Sequence, residues 1–350
     1  LRQRGVTVES FKAGLLFEPH EIVKDNGEHY QVFTAFWKRC LREGIYRSEV
    51  SAPVSLQVPA TVSSEHVVSL QLLPSLGWDK GFYEHWQPGA SAAAGVLSQF
   101  LDGVIDHYAP DRDHPAVAGT SRLSPYLHFG EISPAQVVNR VMVMQAESSH
   151  SVERFLAEIG WREFAAYTLF HVPRSMHESM NPRFAHFPWQ HDPDALRRWQ
   201  QGMTGLPIID AGMRQLWQTG WMHNRVRMLV ASFLTKNLML HWYDGARWFW
   251  DTLVDADLAS NTLGWQWVAG CGTDAAPYFR IFNPVLQSQK FDPQGAYIRR
   301  WVPELAALSN KEIHEPWRCK TVSAYPQPMV DLKFTRERAL TTFKSLREIK

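Results

Sequence analysis

SVERFLAEIGWREFAAYTLF, residues 151–170, keeps its apolar side chains on a helical period from a cap at Ser151 until Pro173 stops it. Working outward, the same signature recurs. PDALRRWQQG (193–202), LPIIDAGMRQLWQTG (206–220), WMHNRVRMLVASFLTKNLML (221–240) and GARWFWDTLV (245–254) read as successive helices. Upstream, Ser124-Pro125 and Ser133-Pro134 each place a capping hydroxyl before a Pro at the first helical position. Residues 91–350 are therefore expected to form an all-helical domain. Residues 46–90, which include APVSLQVPATVSSE, have the Ser, Pro, Val and Gly content of an interdomain linker. Residues 1–45 carry a strand-like run at Leu15–Phe17 and a helix around Phe33–Arg42. They read as the C-terminal remnant of an α/β (Rossmann-like) unit, and Leu1 in place of Met leads us to expect a truncated N-terminus.

The 350 residues contain 36 Lys+Arg against 35 Asp+Glu, which excludes both an acidic disordered chain and a histone-like basic one. A local basic patch on nucleic acid remains compatible with that balance. The unusual count is 15 Trp beside 19 Phe and 10 Tyr. Indoles are bulky and carry a polar N–H, so core filling alone does not call for so many. Base stacking, sugar binding, flavin chemistry or electron transfer would each use them. Cys40, Cys271 and Cys319 form no C-x-x-C pair, which points to a reducing, cytoplasmic setting. No apolar run approaches the length of about 18 residues that a membrane span needs.

Several clusters have chemistry in their spacing. Thr120, Ser121, Arg122, Leu123 and Ser124 gather hydroxyls, backbone N–H groups and a guanidinium at a helix start, which suits an anionic pyrophosphate. An ordinary capped helix has the same appearance. Glu158, Trp161 and Arg162 share one helical face, either as a wall for a polar aromatic ligand or as an ion pair beside a core Trp. Trp221, Asn224, Arg225 and Met228 fall at i, i+3, i+4 and i+7, with Arg227 pointing elsewhere. That stripe is a binding face, or a core edge that tolerates an Asn. Asp255 and Asp257 have neither a His partner nor a loop-glycine pattern and make a poor metal site. Asn261 and Trp265 share a face, while Trp267 points roughly the other way.

The blocks GTSRLSPYLHFGEISP (119–134), EIGWREF (158–164), TGLPIIDAGMRQLWQTGWMHNRVRM (204–228) and DADLASNTLGWQWVAGCGTDAAPYFRIFNP (255–284) resemble the DNA photolyase/cryptochrome family along nearly the whole chain. WMHNR with NTLGWQW looks most like the class I cyclobutane pyrimidine dimer photolyases. The resemblance implies a light-driven carbon–carbon lyase. Reduced FAD, excited by blue light, passes an electron to a pyrimidine dimer in DNA and receives it back after the ring splits. It further implies that Thr120–Ser124 hold FAD phosphates and that Tyr108 is a further flavin-site residue, with Phe155, Arg162 and Trp221 bordering the cofactor. Arg227 pairs with Asp255 beside the isoalloxazine; Asp255, Ala256 and Asp257 contact its ring nitrogens and ribose, and Asn261 lies at flavin N5. Trp265, Trp242 and Trp189 become an electron-transfer chain. Glu158, Trp161, Asn224, Arg225, Met228 and Trp267 face the lesion, and Arg112 and Gln287 touch the substrate strand. A second antenna chromophore, of folate or deazaflavin type, belongs to such proteins at full length; SMHES around Met176 departs from the folate pattern. The chain is expected to be a monomer.

Arg112, Arg225, Lys290, Arg299 and Arg300 would supply a phosphate-binding strip around the lesion pocket. Gly270-x-Gly272-x-x-Ala275 fits a dinucleotide fingerprint but follows no strand, and His171, His177, His186 and His191 have no zinc spacing. His223 reads as structural. The competing reading is a cryptochrome-like FAD photoreceptor without repair activity. Asn261 and the Trp161/Trp267 pair argue against it.

Overall fold

The computed structural model describes residues 1–9, 12–51, 53–58, 63–144, 149–275, 279–319 and 324–348. Fourteen α-helices run through them in the order α1 Phe33–Glu43, α2 Ala90–Leu101, α3 Tyr108–Asp111, α4 Ser124–His128, α5 Pro134–Met144, α6 His150–His171, α7 Pro193–Gln200, α8 Pro207–Thr219, α9 Asn224–Ser232, α10 Trp242–Thr252, α11 Leu258–Ala269, α12 Pro284–Phe291, α13 Ala296–Trp301 and α14 Leu332–Glu348. The only β pairing among the described residues is an isolated bridge between Gln190 and Leu240.

Two apolar cores meet along one helix. The first gathers Leu16, Phe36, Cys40, Phe100, Phe155, Phe164 and Tyr167 from the N-terminal segment, α1, α2 and α6. The second gathers Trp199, Ile209, Leu216, Val230, Leu234, Trp242 and Tyr297 from α7 to α10 and α13. α11 serves both: Ala259 and Leu263 enter the first core, and Trp265, Val268 and Ala269 the second. A helix apolar on both sides loses the one-faced pattern of a surface helix, because both sides are covered. Its packing against α6 on one side and α10 on the other sets the walls of the site.

Several expectations change here. The cap of α6 is Ser149, whose Oγ accepts from Val152 N at 3.2 Å. Ser151 is buried two residues further on, its Oγ donating to Asp106 O (3.0 Å) and accepting from Ala109 N (3.1 Å). Two capping hydroxyls stand two residues apart in the sequence, and the inner one is consumed by a tertiary contact. Ser133 does cap α5, in a reciprocal pair with Gln136. Ser124 instead opens its short helix from within, with Leu123 at the cap.

Leu15–Phe17 form no strand, and Leu16 and Phe17 are bends. The amides of Leu16 and Phe17 donate to the buried Glu163 carboxylate at 2.8 and 3.3 Å, so their hydrogen bonds go to a side chain instead of a sheet. Residues 16–45 thus pack onto α6 and share its core. The linker reading is compatible with 53–58 and 63–76, where Val54, Leu56 and Leu73 are exposed. It does not suit 78–86: Trp78 lies against Trp217 at 6.0 Å, and the Phe82 ring occupies the space where a Cβ of Gly220 would stand. Trp221 precedes α9, so it is not on the Asn224–Arg225–Met228 stripe; the turn at Gly220 (φ 66) aims it separately.

Candidate active site

A cavity of about 170 Å³ opens between α9, α10 and α11. Its polar wall is Asn224, Arg227, Asp255, Asp257, Ser260 and Asn261; its apolar floor includes Met228, Phe249, Leu253 and Trp265. Ala256 also lines it. The Arg227 guanidinium donates to both Asp255 oxygens at 2.8 and 3.1 Å and is steadied by Nε donating to Met222 O at 2.7 Å. A charge pair buried this way has its geometry fixed by the fork of the guanidinium. Asp257 caps α11, one oxygen accepting from Ser260 N at 2.7 Å. The Asn261 amide is oriented by Nδ2 donating to Ala246 O at 2.9 Å. The buried Trp265 Nε1 has no protein partner. Amide, carboxylate and guanidinium edges around an apolar floor suit a planar heterocycle with polar rims, which is the chemistry of an isoalloxazine.

The 120–124 arm approaches through Trp221. The Trp221 Nε1 donates to Ser124 Oγ at 3.4 Å, and Ser121 Oγ accepts from Leu123 N at 3.4 Å. Thr120 and Ser121 remain partly accessible, while Leu123 is buried beneath them. The Arg122 guanidinium lies 4.6 Å from the ring centroids of both Trp86 and Trp221. Three residues expected at the cofactor are not among those that line this cavity. Tyr108 and Phe155 pack edge to face at 5.4 Å within the first core, together with Phe100. Arg162 is turned toward the N-terminal segment, donating to Gly14 O at 2.6 Å. Its neighbour Glu163 faces the same way, so the pair clasps that segment.

Beyond the cavity is a polar rim. Arg112 and Glu158 form an ion pair with each other, and Arg225 pairs with Asp113 at 2.7 Å while covering the Phe291 ring at 4.5 Å. Gln287 lies on α12 one turn before Phe291. His223 caps α9, its Nδ1 accepting from Arg225 N, and burial pushes its imidazole down to about 4. It stays neutral near neutrality, in keeping with a structural role. Trp161 stacks on Phe33 at 3.9 Å, and the Trp267 Nε1 donates to Asp274 O at 3.0 Å. The Asp274 carboxylate in turn accepts from Phe33 N, and Thr273 Oγ1 donates to Gln31 O at 2.6 Å. Both indoles therefore border one junction of α6, α11 and the 31–33 segment. Arg299 is withdrawn from the basic strip, its guanidinium donating to the carbonyls of Gln294, Ala306 and Leu308. Lys290 and Arg300 stay exposed.

Trp265, Trp242 and Trp189 run outward from the cavity. The Trp265 ring sits against Gly245, where a Cβ would overlap it, one turn from the fully buried Trp242. Trp242 neighbours His241 (5.6 Å), which neighbours the partly exposed Trp189 (5.1 Å). The Gln190–Leu240 bridge fixes the last step.

Residues 155–345 match the family model described as the FAD binding domain of DNA photolyase, and residues 1–56 match that of DNA photolyase. A deoxyribodipyrimidine photo-lyase of Agrobacterium fabrum is 45% identical over 99% of this chain and 75% of its own. The chain belongs to the DNA photolyase/cryptochrome family. A crystal structure of a class III photolyase from Agrobacterium tumefaciens superposes with a TM-score of 0.93 at 45% identity, covering 99% of this chain and 75% of that one. Cryptochrome-2 of Arabidopsis thaliana is 37% identical over 99% of this chain and 61% of its own. The class III likeness corrects the class I expectation. WMHNR and NTLGWQW lie on the cavity and its rim, so they report the chemistry that the family shares rather than the subgroup.

Residues of the site that the motifs do not mark include Phe249 and Leu253, which floor the cavity, and Trp86, which lies against Arg122. Trp242, Ala246, Phe249 and Leu253 stand at i, i+4, i+7 and i+11, a stripe that would have revealed the first two. Among the described residues no group of His, Cys, Asp and Glu is arranged to hold a metal, and no helix is long and apolar enough to cross a membrane.

Proposed function

We propose that the cavity holds the isoalloxazine of FAD and that the chain repairs cyclobutane pyrimidine dimers in DNA with the energy of light. One observation carries the reading. The cavity that presents Arg227, Asp255, Asn261 and Trp265 is the same one that Asn224 and Met228 line, so cofactor and lesion groups share a wall. When bound and reduced, FAD supplies a light-excited electron to the dimer and takes it back.

The protein's own part is positioning. Asn261, held by the Ala246 carbonyl, presents its amide to the ring edge, and the Arg227–Asp255 pair fixes charge beside it. Trp161 and Trp267 flank the flipped lesion, with Glu158 and Asn224 at its polar edge. Enzymes that work on bases in DNA, photolyases among them, take the target out of the stack, and a damaged base is less costly to extrude. Arg112, Arg225, Lys290 and Arg300 meet the phosphates, and Gln287 the substrate strand, which accommodates DNA binding by a chain of near-zero net charge. Trp265, Trp242 and Trp189 relay electrons that restore the reduced flavin.

Base–aromatic stacking contributes about 1–3 kcal/mol per base, so Trp267→Ala should weaken binding to dimer-containing DNA by roughly 5- to 150-fold. Asn224→Ala should cost less, since one hydrogen bond nets about 0.5–1.5 kcal/mol. Intact duplex, held through phosphates, should bind as before. Titrating dimer-containing and intact oligonucleotides at one salt concentration checks this. Equal losses on both DNAs would assign the residues to the fold or the general DNA surface. An unchanged damage preference would favour the photoreceptor reading, which the Arabidopsis cryptochrome likeness keeps in view.

A further inference from the structure

Trp86 lies in WQPG, outside every block that marks the family and within a stretch that reads as linker. Its side chain nevertheless reaches two parts of the site. The indole face lies 4.6 Å from the Arg122 guanidinium, and Nε1 donates to Thr219 O at 2.7 Å. Thr219 ends α8, and the next turn, through Gly220, presents Trp221, whose ring is also 4.6 Å from Arg122. The two indole planes are 57° apart with centroids 6.4 Å from each other. Arg122 is wedged into their angle. One side chain thus supplies one wall of the slot and ties down the turn that supplies the other.

What the slot holds is strained and charged. Arg122 has φ 54, a left-handed conformation that costs a non-glycine residue about 1 kcal/mol or more. Among the described residues it forms no ion pair, so its charge is left for something else. The same Trp221 ring lies 5.9 Å from Arg227, the cation that grips Asp255 in the cavity. The wedge therefore connects the 120–124 arm with the cavity wall.

We propose that Trp86 is a positioning residue for the cofactor, holding Arg122 in the strained orientation that meets the negative charge of the FAD pyrophosphate. The inference rests on the reading of 120–124 as the pyrophosphate arm. It adds a residue to that arm from a segment with no motif of its own. A cation over an indole contributes about 0.5–2 kcal/mol, so loss of the wedge corresponds to roughly 2- to 30-fold in affinity.

The test compares two ligands on the apoprotein, FAD and riboflavin, which shares the ring but lacks the pyrophosphate. Dissociation constants are measured by fluorescence for the parent, Trp86→Leu, Trp86→Phe, Arg122→Ala and the Trp86→Leu/Arg122→Ala pair. Trp86→Leu should weaken FAD by about 2- to 30-fold and leave riboflavin unchanged, which a loss of folding could not do. Trp86→Phe, which keeps an aromatic face, should recover most of the affinity. The double variant should bind FAD no worse than Arg122→Ala alone. Equal losses on both ligands, or additive losses in the double variant, would overturn the assignment of Trp86. If Trp86→Leu is silent while Arg122→Ala weakens FAD, the inference fails and the pyrophosphate reading stands. If Arg122→Ala is itself silent, the pyrophosphate reading fails, and the inference with it.

Discussion

Trp265 shows how one residue is specified by its neighbours. Gly245 leaves room for its ring, Phe249 meets it edge to face at 5.0 Å, and its Nε1 has no protein partner. Replacing it by Phe keeps the packing but raises the cost of removing an electron. Trp265→Phe should block photoreduction of oxidised FAD and leave repair by chemically reduced protein nearly intact. Flavin absorbance under blue light with an external reductant, followed beside repair, reads both; photoreduction at the parent rate would remove Trp265 from the chain. Gly245→Ala attacks the same ring from outside and should cost about 1–3 kcal/mol of stability by overpacking, measured in denaturant. Glu163 sets a different kind of test. Burial pushes its carboxyl from an ordinary 4.5 up to about 7, while Arg162 and the Leu16 and Phe17 amides pull the other way. A carboxyl raised in the folded state binds its proton more tightly there. Its contribution is fully present below about pH 4.5 and is lost as the pH rises through about 7. Glu163→Gln cannot titrate, so parent minus variant stability should fall between about pH 5 and pH 8. Urea unfolding at the two pH values checks the sign.

At the scale of elements, the long helices were legible because period and punctuation agree: Pro207 opens α8 and Gly220 closes it, as the sequence suggests. The errors come where a local signal has two uses. Ser149 and Ser151 both look like caps, and burial against α3 decided between them. Ser149→Ala should therefore cost about 0.5–2 kcal/mol as a lost cap. Ser151→Ala should also loosen α3, because the backbone groups of Asp106 and Ala109 lose their partner. Amide exchange in 104–111 separates the two, and equal protection in both variants would contradict the assignment. Leu15–Phe17 resembled a strand because short apolar runs do so in any buried segment. What replaced the sheet was Glu163, 147 residues away from Leu16. Asp257 was singled out for the cofactor and also caps α11; its two oxygens allow both duties.

Across the whole molecule, the high Trp count resolves into distinct uses. Trp199 and Trp242 are fully buried, Trp161 and Trp267 edge the proposed lesion pocket, and Trp86 and Trp221 wedge a guanidinium. Composition could announce the excess but not assign it, since each use depends on which helix faces which. The polar wall of the cavity was legible because two motifs, WMHNR and DADLASN, converge on it, whereas the contacts of Tyr108 with Phe155 and of Arg162 with Gly14 join segments that no periodicity relates. The central claim is that one flavin cavity and one lesion pocket share a wall and act together under light. Its most direct measurement is the loss of cyclobutane dimers from a defined oligonucleotide mixed with the FAD-loaded, reduced chain, in blue light and in darkness. Repair in the light alone, abolished when FAD is stripped and restored when it is returned, is the predicted result. A folded, FAD-loaded and reduced chain that leaves the dimers intact under illumination would contradict it.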